Sequence, residues 1–148
     1  GGVSEPTNFV AGYGPESVAI GDFNGDTFLD LVTANTGSND VSILLGDGLG
    51  GFSGPTNFAA DDYPASVAIG DFNGDTFLDL VTANYDSRNV SILLGDGLGG
   101  FSDPTNFAAG DEPLSVAIGD FNGDTILDLA TANAKGNDVS ILLGIPQN

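Results

Sequence analysis

The chain has 148 residues, with 23 glycines, 7 prolines and neither cysteine, histidine, methionine nor tryptophan. Two basic residues face 21 acidic ones, and the resulting charge of −19 repels nucleic acid and anionic membranes, so neither is an expected partner. At 41% hydrophobic residues there is enough apolar content for a core, which excludes disorder, while the missing cysteines exclude disulfides and thiolate metal sites.

No stretch approaches the ~18 apolar residues of a membrane span, and none reads as a signal peptide. Gly1 stands first in place of methionine, as after removal of a leader or in a fragment of a longer chain.

The chain repeats itself with a period of 49. Units 1–49, 50–98 and 99–147 align without a gap, and the first two agree at 38 of 49 positions. A fixed period of roughly 20–50 residues is the mark of a solenoid, a propeller or an array. No unit of this size buries both faces of a small sheet alone, so the three must pack on one another. Residues 1–148 are therefore read as one repeat domain.

Within a unit the elements follow in a set order. In the second, strand-like runs are expected at 66–70, 77–84, 89–95 and 101–108, all rich in Val, Ile, Leu, Thr and Phe. Val90, Ile92 and Leu94 alternate to one side, but Leu93 is apolar on the other, which suits a sheet covered on both faces. Pro104 lacks a ladder donor and suits the edge strand. The Gly-rich turn at 95–100, like that at 46–51, matches G-x-G-x-x-G, yet it leads into a strand and not a helix. It reads as a hairpin turn, not a dinucleotide site.

Between the first and second runs lies a nine-residue phrase, Asp-Phe-Asn-Gly-Asp-Thr-(Phe/Ile)-Leu-Asp, at 22–30, 71–79 and 120–128. Oxygen side chains at positions 1, 3, 5 and 9, with the carbonyl at 7, follow the order in which a short loop wraps calcium. The donors are Asp22, Asn24, Asp26, the Phe28 carbonyl and Asp30. In the second unit they are Asp71, Asn73, Asp75, Phe77 and Asp79, and in the third Asp120, Asn122, Asp124, Ile126 and Asp128. With no histidine or cysteine, the all-oxygen set points to Ca2+, about three per chain, over zinc, copper or iron. Asp, Asn and Gly also favour bare turns. Three copies with every oxygen kept, each followed by a strand, favour metal. Position 6, usually glycine at such a sharp turn, is Thr27, Thr76 and Thr125 here. Phe28 is expected to point inward and tie the loop to the core.

The D-F-N-G-D-x-x-x-D loop, the LDLVTAN strand and the VSILLGDGLGGF hairpin together resemble the FG-GAP or VCBS repeats of β-propellers. Such repeats occur in integrin α-subunit heads, some fungal lectins and many bacterial surface proteins. The resemblance covers essentially the whole chain. It implies an all-β fold of four-stranded antiparallel blades, calcium that is mainly structural, and a place outside the cell or on its surface.

Propellers typically have about 4–8 blades, and this chain supplies three. Residues 1–9 repeat the outer-strand phrase of 50–58, while the third unit stops after its third run. These ends would complete each other, so copies of the chain are expected to associate, six blades forming as a dimer. An open head-to-tail array and membership of a longer chain remain alternatives.

The units differ mainly at 10–16, 61–65 and 110–114, and at 36–40, 85–89 and 134–138. Loops alternate between the two ends of an up-and-down blade, so these segments should share one end and the metal loops and Gly-rich turns the other. Tyr13, Asp62, Tyr63, Tyr85 and Arg88 in the variable set suit a glycan or a protein patch. Drift at tolerant loops explains the same variation. Without histidine or cysteine the usual nucleophile systems are impossible, and no enzyme is expected.

Overall fold

The computed structural model describes residues 1–146; Gln147 and Asn148, at the close of the third unit, lie outside them. Among the described residues there are eleven strands and no helix. Sheet one has order β1 (Pro15–Gly21), β2 (Asp30–Asn35), β3 (Asp40–Leu44) and β4 (Thr56–Ala59). Sheet two repeats it with β5 (Pro64–Gly70), β6 (Asp79–Asn84), β7 (Asn89–Leu93) and β8 (Thr105–Ala108). Sheet three holds β9 (Pro113–Gly119), β10 (Asp128–Asn133) and β11 (Asp138–Leu142). All pairs are antiparallel between chain neighbours, so each sheet is a simple meander.

Strand limits depart from the expected runs where a neighbouring turn claims the backbone. Phe77 and Leu78 belong to the loop, so β6 starts at Asp79. Pro104 lies outside the edge strand: β8 begins after it at Thr105, and Phe101 forms only an isolated bridge with Gly95. The first strand starts earlier than read, at Pro64, with a register shift before Ser66. Residues 1–11, expected to contain an outer strand, form none. Their counterparts β4 and β8 pair with β3 and β7. Phe9 nevertheless packs edge-on against Phe52, 5.3 Å between centroids, as Phe58 does against Phe101 at 5.4 Å.

The sheets stack as propeller-like blades with β1, β5 and β9 side by side. Ser17 Oγ accepts the Val67 N–H at 3.2 Å, and Ser66 Oγ the Val116 N–H at 3.4 Å, stitching each inner strand to the next. Gly21 explains the close spacing: a Cβ there would stand 2.9 Å from Leu78 and 3.1 Å from Ile69. One core cluster, including Val32, Val41, Leu80 and Leu93, lies between blades one and two. A second, with Val81, Val90, Val116 and Leu129, lies between two and three. Each such side chain contributes roughly 1.5–3 kcal/mol by burial.

A polar relay crosses each blade at its middle. In blade two Thr82 Oγ1 donates to Asn84 Oδ1 (2.8 Å), Asn84 Nδ2 to Ser91 Oγ (2.7 Å), and Ser91 Oγ to Asn106 Oδ1 (2.7 Å). Blade one repeats it through Thr33, Asn35, Ser42 and Asn57. Thr82, Asn84 and Ser91 are fully buried, so a broken link strands a polar group without water. Asn84→Leu should therefore destabilise the fold by about 2–3 kcal/mol, read as a lower midpoint in urea unfolding at unchanged slope.

Candidate functional site

Each β1–β2-type loop is built around its first aspartate. Asp22 Oδ1 accepts the N–H groups of Gly25 (2.8 Å) and Asp26 (3.2 Å), and Oδ2 accepts that of Thr27 (2.9 Å). Asn24 Oδ1 accepts the Asp26 N–H at 3.1 Å while its Nδ2 donates to Asp26 Oδ2 at 2.9 Å. Asp26 Oδ1 in turn accepts the Phe28 N–H at 2.8 Å. Asp71 and Asp120 organise the other loops through the same bonds. The N–H of Thr125, with those of Gly123 and Asp124, holds the Asp120 carboxyl below its ordinary value.

The ninth-position aspartate does something different. Asp30 is fully buried, and its oxygens accept the N–H groups of Phe23 and Gly46, both at 2.8 Å. It clamps the start of the loop to the Gly-rich turn sixteen residues on. Asp79 clamps Phe72 to Gly95, and Asp128 clamps Phe121 to Gly144, each bond again 2.8 Å. Burial pushes the Asp79 carboxyl above its ordinary value against the pull of these N–H donors, and the charges of Asp75 and Asp71 push the same way.

Position 6 is left-handed in every copy, with φ of 74°, 76° and 72° at Thr27, Thr76 and Thr125. A β-branched residue is strained there, at a cost of order 1–3 kcal/mol. Phe28 and Phe77 do not point inward as expected. They are 45% and 44% exposed, and their rings lie on Gly48 and Gly97 of the Gly-rich turn. Phe23, the second loop residue, enters the core in their place.

Donor chemistry decides whether these loops fit a cation. Each offers three carboxylates and an amide oxygen, all hard donors, and a carboxylate has about four lone-pair sites, so the clamp does not exhaust Asp30. Among the described residues no three acidic side chains stand close enough to form a ready metal-holding group. The donor types are those that calcium takes, and internal hydrogen bonds hold the side chains in their loop order without drawing three acids together.

Four of the five remaining sequence candidates, Asp62, Tyr63, Tyr85 and Arg88, gather at the other end. Tyr63 and Tyr85 rings pack 5.4 Å apart, and the Tyr85 N–H donates to the Tyr63 carbonyl at 2.8 Å. Their hydroxyls donate to different blades: Tyr63 to Glu16 of blade one (3.1 Å), Tyr85 to Glu112 of blade three (2.7 Å). These bonds raise both phenols above their ordinary values. Arg88 pairs with Asp111 at 3.2 Å, and Asp62 accepts from Asn39 Nδ2 at 3.1 Å. Tyr13 is apart from this group, 79% exposed over Gly37. Glu16, Asp111 and Glu112, which fall in the variable segments 10–16 and 110–114, are the partners that occupy these groups. The metal loops lie at the opposite end with the Gly-rich turns, where the Gly99 N–H donates to the Phe23 carbonyl at 2.9 Å.

The FG-GAP-like repeat matches the chain twice, over residues 22–82 and 71–131. No curated protein matches the chain. Among solved structures, one described as the crystal structure of BBS1N in complex with ARL6DN, soaked with lead, is similar at 15% identity with a TM-score of 0.44. The likeness covers 93% of this chain and 59% of that one, so this chain spans less than two thirds of its length.

The clamp carries its own test. Asp79→Asn turns one acceptor into a donor facing a buried N–H, and should cost about 1–3 kcal/mol even without calcium. Chemical unfolding in chelator checks it.

Proposed function

The chain belongs to the FG-GAP-like repeat family, and on that premise we propose that it is a calcium-stabilised β-propeller module working outside the cell in recognition or adhesion. The observation that carries this reading is the division of labour between its two ends. One end repeats the same loop in every blade and the same Gly-rich turn in blades one and two, and the other gathers the variable segments. A constant end suits a structural ion, and a variable end on a rigid scaffold suits a ligand.

In each loop Asp22, Asn24, Asp26, Asp30 and their counterparts would hold the ion. Calcium, when bound, supplies the positive charge that offsets the loop carboxylates. The protein's own part is to keep those acids in order through backbone N–H groups and the buried clamp. The ring is completed by copies of the chain, six blades as a dimer, because blades one and three each leave an apolar face open. Val18 and Ile20 are 62% and 55% exposed on one, Val139 and Ile141 68% and 50% on the other. No catalytic role is assigned, since no histidine or cysteine is present to build a nucleophile.

A second reading, a self-assembling scaffold with no ligand, is favoured by one observation. The polar ends of Tyr63, Tyr85 and Arg88 are already engaged within the chain.

Two measurements test these readings. Calcium at a hundredfold excess over Kd should stabilise by about 2.7 kcal/mol per site. Excess chelator should therefore lower the Tm by several degrees, and Asp71→Ala should remove one site in a calcium titration. A melt indifferent to chelator rules calcium out. On a glycan array, binding that Tyr13→Ala removes at unchanged Tm supports recognition at the variable end. A protein that binds nothing on the array or to candidate surface proteins is the scaffold.

A further inference from the structure

The open edge of blade three is missing identifiable parts, and residues 1–10 contain them. The relay in this blade runs from Thr131 to Asn133 (2.9 Å) and from Asn133 Nδ2 to Ser140 Oγ (2.8 Å), and among the described residues goes no further. In the other blades the serine hydroxyl goes on to an outer-strand asparagine, Asn57 or Asn106. Asn8 stands at the same place in the phrase Pro-Thr-Asn-Phe, with no β3-type strand beside it.

A cavity of about 590 Å³ lies between blades two and three, lined by Phe72, Phe107, Leu129 and Leu142 among others. The matching space between blades one and two is filled by Phe101, whose ring lies 5.8 Å from Phe23 and 5.4 Å from Phe58. Phe72 and Phe107 are those two phenylalanines one unit later. The residue one unit after Phe101 would be Val3 of a following copy, and Val3 is fully exposed in this chain.

The inner strands show the same gap. Gly21 is covered by Ile69 and Leu78 of blade two, and Gly70 by Ile118 and Leu127 of blade three. Among the described residues Gly119 meets only Phe121 of its own loop. The side chains that would cover it are Ile20 and Leu29, 55% and 61% exposed on blade one.

We infer that residues 3–10 of a second copy add to β11 as the fourth strand of blade three, seating Val3 in the cavity and Asn8 on Ser140. This deepens the ring closure proposed above and rests on it. The register follows from the repeat. Val41–Phe58 and Val90–Phe107 pairs become Val139–Phe9, and Ser42–Asn57 and Ser91–Asn106 become Ser140–Asn8. Blade one of the second copy then follows directly, its Ile20 and Leu29 over Gly119. The same three contacts repeat at the second junction of a dimer.

The chain has no cysteine, so paired cysteines report the contact directly. In the full chain, Asn8→Cys with Ser140→Cys should give a disulfide-linked species of twice 14.9 kDa under mild oxidation. Phe9→Cys with Ser140→Cys, one residue out of register and on the other face, should not. Native mass spectrometry of the unsubstituted protein and of Val3→Phe gives a second readout. The larger side chain should tighten association about tenfold by filling the cavity. Assembly without the 8–140 link, or an 8–140 link within one chain, overturns the strand assignment alone. A 14.9 kDa species that persists at micromolar concentration overturns both the assignment and ring closure.

Discussion

A sheet apolar on both faces has to be covered on both faces, and most of this molecule follows from that requirement. In β6 every one of the six residues is buried, because blades one and three lie against its two sides. The flanking blades keep the same sequence but have only one neighbour, and β11 shows the cost: Val139 and Ile141 are exposed where Val90 is fully buried. Identical residues thus reach different burial by position in the stack alone. Glycines at the inner strands bring the blades close enough for serine hydroxyls to bridge them.

Burial from both sides also constrains the polar groups. A blade cannot hide Thr, Asn and Ser in its middle unless they satisfy one another, which is what the relay does. The aspartate clamp is the same solution for charge: a buried carboxylate is tolerated because two backbone N–H groups converge on it. The clamp and the first loop aspartate together order the loop through bonds internal to the protein. The loop therefore presents its acids in a fixed sequence, and it absorbs a strained threonine at position 6 to do so.

Much of this could be read from the residues. The period of 49, the strand runs, the two-faced burial and the division of loops between opposite ends all follow from local pattern and alternation. The misreadings share a cause, which is contact across long sequence separations. Phe28 was expected inside because it is a large apolar residue in a loop, yet the Gly-rich turn twenty residues later offers its ring an exposed shelf. The role of Asp30 depends on the N–H of Gly46, and nothing near Asp30 reveals it. Asn35, Asn84 and Asn133 read as strand-end residues, since the relay exists only once three strands are in register. The tyrosines were legible as a neighbouring pair, but their acidic partners lie in other units.

Units this alike raise a problem of order during folding. Any β1-type strand can dock on any of the blades, and repeat proteins characteristically misassemble by such exchanges. The constant end offers no way to tell the units apart. The bonds that could do so are those of the variable end, where Asn39 meets Asp62, Tyr63 meets Glu16, and Arg88 meets Asp111. Asp62 and Asp111 hold the same place in successive units and Asn39 recurs as Asn137, but Tyr63, Glu16, Tyr85 and Glu112 have no like residue at the matching positions, so the two tyrosine bonds are satisfied in one arrangement of neighbours only. The irregular end of the molecule thus works as an address, telling three nearly interchangeable blades which comes first, second and third.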